Sequence, residues 1–317
     1  MKIVILDKKT LGDDLDISAA SGFGEVVVRE NTAPDEVEGA ISDADVIFVN
    51  KVKLCEDNLK SAKNLKLICE AATGYDNIDI EYCRKRGIGV CNVPGYSVYS
   101  VAQVTVSMVL SLVNRLNEYT RYTRDGNYSK GKSANILTPV YHELLGKKWG
   151  IVGYGAIGQR VGEIAKALGC EVLAFKRTPV DNVRCTDIDT LMSECDIITV
   201  HIPLSQSTRN LVNKERIAKM KSTAVFVNTA RGAVVDEAEL CKALKQGRIA
   251  AMGTDVYSAE PFREDSPFYE IKDLDNVCLT PHMAWGTIEA RTRCFEVMLE
   301  NLKAFFDGEI KNRVELD

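Results

Sequence analysis

Residues Lys148 to Arg177 read KWGIVGYGAIGQRVGEIAKALGCEVLAFKR, and this stretch decides the fold. Trp149, Ile151 and Val152 make a short apolar run that ends in Gly153-Tyr154-Gly155-Ala156-Ile157-Gly158. Helical spacing follows, with Ile157, Val161, Ile164 and Leu168 at i, i+4, i+7 and i+11. Gly169 suits a helix stop, and Val172 to Phe175 open a second strand. Strand, Gly-x-Gly-x-x-Gly turn, helix and strand predict a βαβ unit that binds a dinucleotide. Gly153 permits the tight turn, Gly155 lets a pyrophosphate approach the backbone, and Gly158 lets helix and strand pack closely. The helix N-terminus then faces the phosphates. A carboxylate about twenty residues on would favour a ribose 2′-hydroxyl, but Lys176, Arg177 and Thr178 stand there instead. Two cations and a hydroxyl suit a 2′-phosphate, so NADP(H) is expected ahead of NAD(H).

Working outward, a chain of 317 residues suits two domains. Hydrophobic content of 45% and charged content of 27% describe an ordinary soluble globular protein, and cytoplasmic in its cysteine usage. Its ten cysteines are scattered, form no Cys-x-x-Cys pair, and several sit in apolar runs, as reduced thiols do. A net charge of −5 without a long basic stretch argues against a nucleic-acid surface. Neither a signal peptide nor a membrane span is expected, since the apolar region Val101 to Val113 is broken by Gln103, Thr105, Ser107 and Ser111.

Strands are predicted at Lys2–Leu6, Glu25–Arg29, Val46–Asn50, Leu65–Ala71 and Gly89–Val93, with helices near 34–41, 57–62 and 79–86. That pattern is an α/β layer with a parallel sheet and no glycine-rich phosphate turn. Ser100 with Gln103 reads as a capping box that starts one long crossover helix reaching about Thr123. Residues 125–139 read as a surface loop. Further strands are expected at Asp196–Ile202, Ala224–Asn228, Ile249–Thr254 and Asn276–Thr280, with a helix at Glu237–Gln246. A last helix, Thr287–Phe306, should return to the first domain. The division expected is 1–99 plus 288–317 for substrate and 100–287 for the dinucleotide.

Ligands of open parallel sheets bind beyond the carboxyl ends of the strands. Arg231, Asp255 with Glu260, and His282 each follow an apolar strand, so they should share the pyrophosphate's edge. A cation, a carboxylate and an imidazole suit hydride exchange with a 2-oxo or 2-hydroxy acid. Arginine grips the carboxylate and polarises the carbonyl, while histidine moves the proton. A surface cation and a helix-start charge are the plainer readings of Arg231 and Glu260. Of the other histidines, His142 lies in a linker and His201 reads as a satisfied core residue. The loop Ala72-Thr73-Gly74-Tyr75-Asp76-Asn77 either aims N–H groups at an anion or is an ordinary βα turn.

Several segments, namely CNVPGYSVYSVAQVTV, LLGKKWGIVGYGAIG, HIPLSQSTRNLVN, FVNTARGAVVDEAEL, AAMGTDVYSAEP and LTPHMAW, resemble the D-isomer-specific 2-hydroxyacid dehydrogenases in order and spacing. The resemblance covers nearly the whole chain. It implies two Rossmann-like domains with the active site in the cleft between them, and a homodimer through the cofactor domain. It implies Arg231 as the substrate arginine, Glu260 as the carboxylate and His282 as the acid/base. Thr73 and Gly74 would offer N–H groups to the substrate carboxylate. Asp255 would hold the nicotinamide end, with further cofactor contacts from Thr105, Tyr154, Ala156, Ile157, Ile202, Pro203, Thr208, Thr229, Ala230 and Ala284. No metal is called for. Pro281-His282-Met283-Ala284-Trp285 is similar to the glycerate dehydrogenase and hydroxypyruvate reductase branch, which points to hydroxypyruvate or glyoxylate. Glu260 stands where formate dehydrogenases carry glutamine. Lys176 in place of the usual aspartate, and Gln103 in place of a common glutamate, depart from the pattern. The alternatives are a dehydrogenase of lactate-type or branched 2-hydroxy acids, whose pocket wall would include Lys51, Tyr75 and Trp285, and a nucleotide-sensing scaffold like the related co-repressors.

Overall fold

Strands β1 (Lys2–Ile5), β2 (Glu25–Val28), β3 (Val46–Val49), β4 (Leu67–Glu70) and β5 (Gly89–Cys91) form a parallel sheet ordered β2-β1-β3-β4-β5. The structure is a computed structural model that describes residues 1–316. β3 and β4 are buried along their whole length, as a parallel sheet covered on both faces requires. One face packs Ile3, Ile5, Phe48 and Cys69 against Cys294, Phe295, Met298 and Leu302 of the helix Ile288–Phe306. Thr287 caps that helix by accepting the Ala290 N–H at 3.3 Å. The other face packs Val4, Ile47 and Ile68 against Val37, Ile41, Leu59 and Cys83 from three short helices. Met1–Ser97 and the segment from Trp285 onward make this compact unit.

Val98–Ala284 make the other unit. Its strands are β6 (Lys148–Val152), β7 (Glu171–Phe175), β8 (Arg184–Cys185), β9 (Ile197–Val200), β10 (Val225–Asn228), β11 (Ala251–Thr254) and β12 (Val277–Leu279). All pair parallel in the order β12-β11-β10-β9-β6-β7-β8. From β6 the chain winds outward through β7 and β8, then returns to β9 and winds the other way. The carboxyl ends of β6 and β9 therefore flank the switch point where such sheets bind ligands.

Three expectations are corrected. The crossover helix is not continuous to Thr123: Val98–Val113 ends, Arg115 takes a left-handed φ of 52°, and a separate helix runs Leu116–Arg124. The first helix packs on the sheet, whereas the second buries no residue, so the break lies where the core surface ends. Ser100 is not a cap. It lies inside the helix, and its hydroxyl donates to the Ala284 carbonyl at 2.5 Å, which leaves Gln103 exposed and without a capping part. Residues 125–139 contain a helical turn, Asn127–Lys130. No described helix is long and apolar enough to cross a membrane.

Candidate active site

The three glycines of the turn have separable reasons. Gly153 has φ 97°, and a Cβ there would stand 2.7 Å from the His201 carbonyl oxygen and the Ile202 nitrogen. A Cβ on Gly158 would come within 2.2 Å of the Gly153 oxygen. A Cβ on Gly155 meets nothing within 4 Å. The fold itself thus requires Gly153 and Gly158, while the space at Gly155 is open. Ala156 and Ile157 begin the twelve-residue helix Ala156–Ala167, whose first N–H groups, as at any helix start, have no partner within the helix. Tyr154 turns its ring into the core against Gly162, so at the turn it offers its backbone alone.

Lys176 is half-buried and Arg177 and Thr178 are exposed where β7 ends; among the described residues neither cation forms an ion pair. His201, at the end of β9, departs from the satisfied core histidine expected of it. Its Nε2 is buried without a partner among the described residues, while Nδ1 lies 3.4 Å from the Thr229 hydroxyl. Thr229 in turn meets the Thr105 hydroxyl at 2.9 Å, and Thr105 donates to the Val101 carbonyl at 2.8 Å. Burial pulls the imidazole down to about 3, so the ring is neutral. An orphaned ring nitrogen beside a vacant-sided glycine turn fits a polar ligand such as a nicotinamide dinucleotide. Ile202 and Ala230 are half-buried at the same edge and Pro203 is exposed. The Thr208 hydroxyl is held in a local turn, accepting from Ser205 N–H at 2.7 Å and donating to the Pro203 carbonyl at 2.6 Å.

Asp255, 1% exposed after β11, organises the next group. One carboxylate oxygen takes the Thr280 hydroxyl at 2.6 Å and Met283 N–H at 2.8 Å; the other takes Ala284 N–H at 2.9 Å. Burial raises this carboxyl while the three donors oppose the rise. It thereby fastens the strap 280–284, within which His282 adopts φ 54°. His282 Nδ1 then sits 2.6 Å from Glu260 Oε2, and Glu260 Oε1 accepts Tyr257 N–H at 3.0 Å. The carboxylate is fixed by backbone on one side and orients the ring with the other, which leaves Nε2 to exchange a proton. Arg231 follows β10, its Nη1 donating to the Ala230 carbonyl at 2.9 Å. A Cβ on the adjacent Gly232 would lie 2.1 Å from the Tyr257 carbonyl carbon, so the loops carrying Arg231 and Glu260 pack backbone to backbone.

In the smaller unit, Thr73 donates its hydroxyl to the Val93 carbonyl at 2.8 Å, and its own carbonyl accepts from the Asn92 amide at 2.8 Å. Among the described residues, the Thr73 and Gly74 N–H groups find no protein acceptor. Asp7 and Glu70, which sequence reasoning passed over, lie at the same sheet edge as Asn77 of that loop. A carboxylate closing the apolar run Ile68-Cys69-Glu70 was the available signal. Among the described residues no cluster of three or more His, Cys, Asp or Glu could hold a metal.

A glycine turn at the switch point of a parallel sheet, with an oriented imidazole–carboxylate pair on the same edge, defines a dinucleotide-dependent oxidoreductase. The family model for the D-isomer specific 2-hydroxyacid dehydrogenase NAD-binding domain matches residues 106–284. A hydroxypyruvate reductase of Blautia hydrogenotrophica is 35% identical, covering 99% of each chain, and a glycerate dehydrogenase of Methylorubrum extorquens is 35% identical with the same coverage. An acyclic imino acid reductase solved with NADPH and D-Arg superposes with a TM-score of 0.89 at 28% identity, over 99% of this chain and 100% of that one. The chain belongs to the D-isomer specific 2-hydroxyacid dehydrogenases. It is an oxidoreductase that acts on the CH–OH group with a nicotinamide dinucleotide.

Proposed function

We propose that the protein reduces hydroxypyruvate or glyoxylate to D-glycerate or glycolate and prefers NADPH to NADH. The observation that carries this reading is the 2.6 Å pair of His282 and Glu260 on a strap fastened by Asp255. A reduced nicotinamide held at the 153–158 turn would supply the hydride for the carbonyl carbon. His282 gives its Nε2 proton to the oxygen as negative charge develops there, and Glu260 balances the imidazolium and holds the ring. Arg231 grips the substrate carboxylate and polarises the carbonyl. Thr73 and Gly74 offer N–H groups to the carboxylate, so residues 1–99 with 288–317 serve substrate and residues 100–287 serve the cofactor. The names of the relatives support the substrates.

For the cofactor, Lys176, Arg177 and Thr178 form a 2′-phosphate site at the end of β7, in keeping with the NADPH carried by the imino acid reductase. Leu137 and Leu145, each 73% exposed, flank exposed Val140 and Tyr141, an apolar stretch that supports a homodimer through this unit. Ten free cysteines, seven of them buried, support a reducing, cytoplasmic setting.

Initial rates with hydroxypyruvate, glyoxylate, pyruvate and a branched 2-oxo acid, each with NADPH and NADH, test the proposal. Hydroxypyruvate or glyoxylate should lead, with NADPH ahead. Replacing Lys176 and Arg177 by Ala should weaken NADPH by about tenfold or more and spare NADH. Equal losses for both cofactors would refute the phosphate site, and activity confined to another acid would refute the substrate.

A further inference from the structure

Glu70 ends β4 with 0% exposure. Its Oε2 accepts from the Asn77 amide at 3.1 Å, and its Oε1 is buried without any partner among the described residues. A buried carboxyl with one bond costs the fold free energy that valine at the same pleat would not. Strand stability therefore does not account for a glutamate here, whereas what it holds does.

The Asn77 amide it grips also reaches the Val52 carbonyl at 3.2 Å and the Asn50 carbonyl at 3.5 Å. From the opposite side Asp7, 4% exposed, accepts N–H groups from Asn50 at 3.1 Å, Lys51 at 2.6 Å and Val52 at 3.2 Å. The turn after β3 is thus clamped by its N–H groups to Asp7 and by its carbonyls to Asn77. Asn77 belongs to the turn after β4, and its own carbonyl accepts Leu54 N–H at 2.9 Å. One amide ties the two turns together, and Glu70 ties that amide to the sheet interior.

We propose that Glu70 is a positioning residue for the substrate, fixing through Asn77 the spacing between the Asn50–Lys53 turn and the Thr73–Gly74 N–H groups. The proposal rests on the reading that Thr73 and Gly74 receive a 2-oxo acid. Burial holds the Glu70 carboxyl well above the usual range despite the Asn77 amide, and Lys51 is the cation facing it while Asp7 and Asp76 add negative charge. Glutamine copies the shape of that side chain and keeps an oxygen for the Asn77 amide; valine removes the tie without a cavity of note.

Steady-state kinetics of the full chain with hydroxypyruvate and NADPH test it. Glu70→Val should raise KM for the 2-oxo acid about tenfold or more, since small misplacement of binding groups is costly. KM for NADPH and the thermal midpoint should not worsen, and Glu70→Gln should stay within about threefold of wild type because the tie survives. An unchanged KM for the 2-oxo acid in Glu70→Val overturns the proposal, as does a parallel loss for both substrates with lowered stability. Should that variant not fold, Asn77→Ser cuts the same tie and must show the same split. If the wild type turns over no 2-oxo acid, the substrate reading fails on its own. Hydrogen exchange then decides Glu70: Glu70→Val should speed exchange in 50–54 and 72–78 while sparing 225–228, and an unchanged pattern overturns the proposal.

Discussion

His282 holds a left-handed φ of 54°, a conformation that costs a non-glycine residue free energy unless its surroundings enforce it. Here Asp255 enforces it by binding the strap through Thr280, Met283 and Ala284. Conformational cost at the proposed proton-transfer group, enforced by a buried neighbouring carboxylate, fits a site built for ring direction. His282→Ala should lower turnover by about a hundredfold or more, the usual scale for losing an acid/base, while fluorescence titration shows NADPH binding intact. Turnover near wild type would remove His282 from the chemistry. The positions of Arg231 and His282 just past apolar runs, with Glu260 five residues beyond Asp255, were readable in the sequence; the 2.6 Å contact of His282 with Glu260 was not. Glu70 was not, because it sits inside the expected strand Leu65–Ala71, where a carboxylate reads as solvent-facing. Nor was the orphaned nitrogen of His201, since residue order does not say which acceptors a ring will meet.

Among the elements, the turn 153–158 separates what the fold needs from what a ligand needs. Gly158→Ala would force a Cβ against a backbone oxygen at 2.2 Å and should destabilise by about 1–3 kcal/mol, as overpacking does. Gly155→Ala has open space and a φ of −82°, so its thermal midpoint should match wild type while its affinity for NADPH collapses. Paired thermal melts and cofactor titrations check both; a Gly155→Ala protein that binds NADPH normally would mean the pyrophosphate does not approach there. Strands such as β3 were legible because burial on both faces makes an unbroken apolar run. The helix break at Arg115 was not, because neither glycine nor proline marks it. β8, with two residues, is too short to carry a period.

At the scale of the whole molecule, the neutral His201 links folding to pH. Its folded value of about 3 lies below the ordinary 6.5, so between those values the unfolded chain binds a proton that the fold refuses. Its contribution is complete above pH 6.5 and is lost as pH falls toward 3. Urea midpoints measured without cofactor at about pH 5 and 7.5 should drop less for His201→Asn than for wild type. Equal drops would show that the folded ring accepts a proton freely. The two parallel sheets follow from alternating apolar runs that the sequence displays, whereas their strand order does not, and the return of the last helix to the first unit was expected. That return also sets a schedule for biosynthesis. Ala290, Cys294, Phe295, Met298 and Leu302 complete the core beneath β1, β3 and β4. On the ribosome, the first 97 residues therefore wait with one sheet face uncovered while the unit translated after them can already close its own cores. The part of the chain made first is the part finished last.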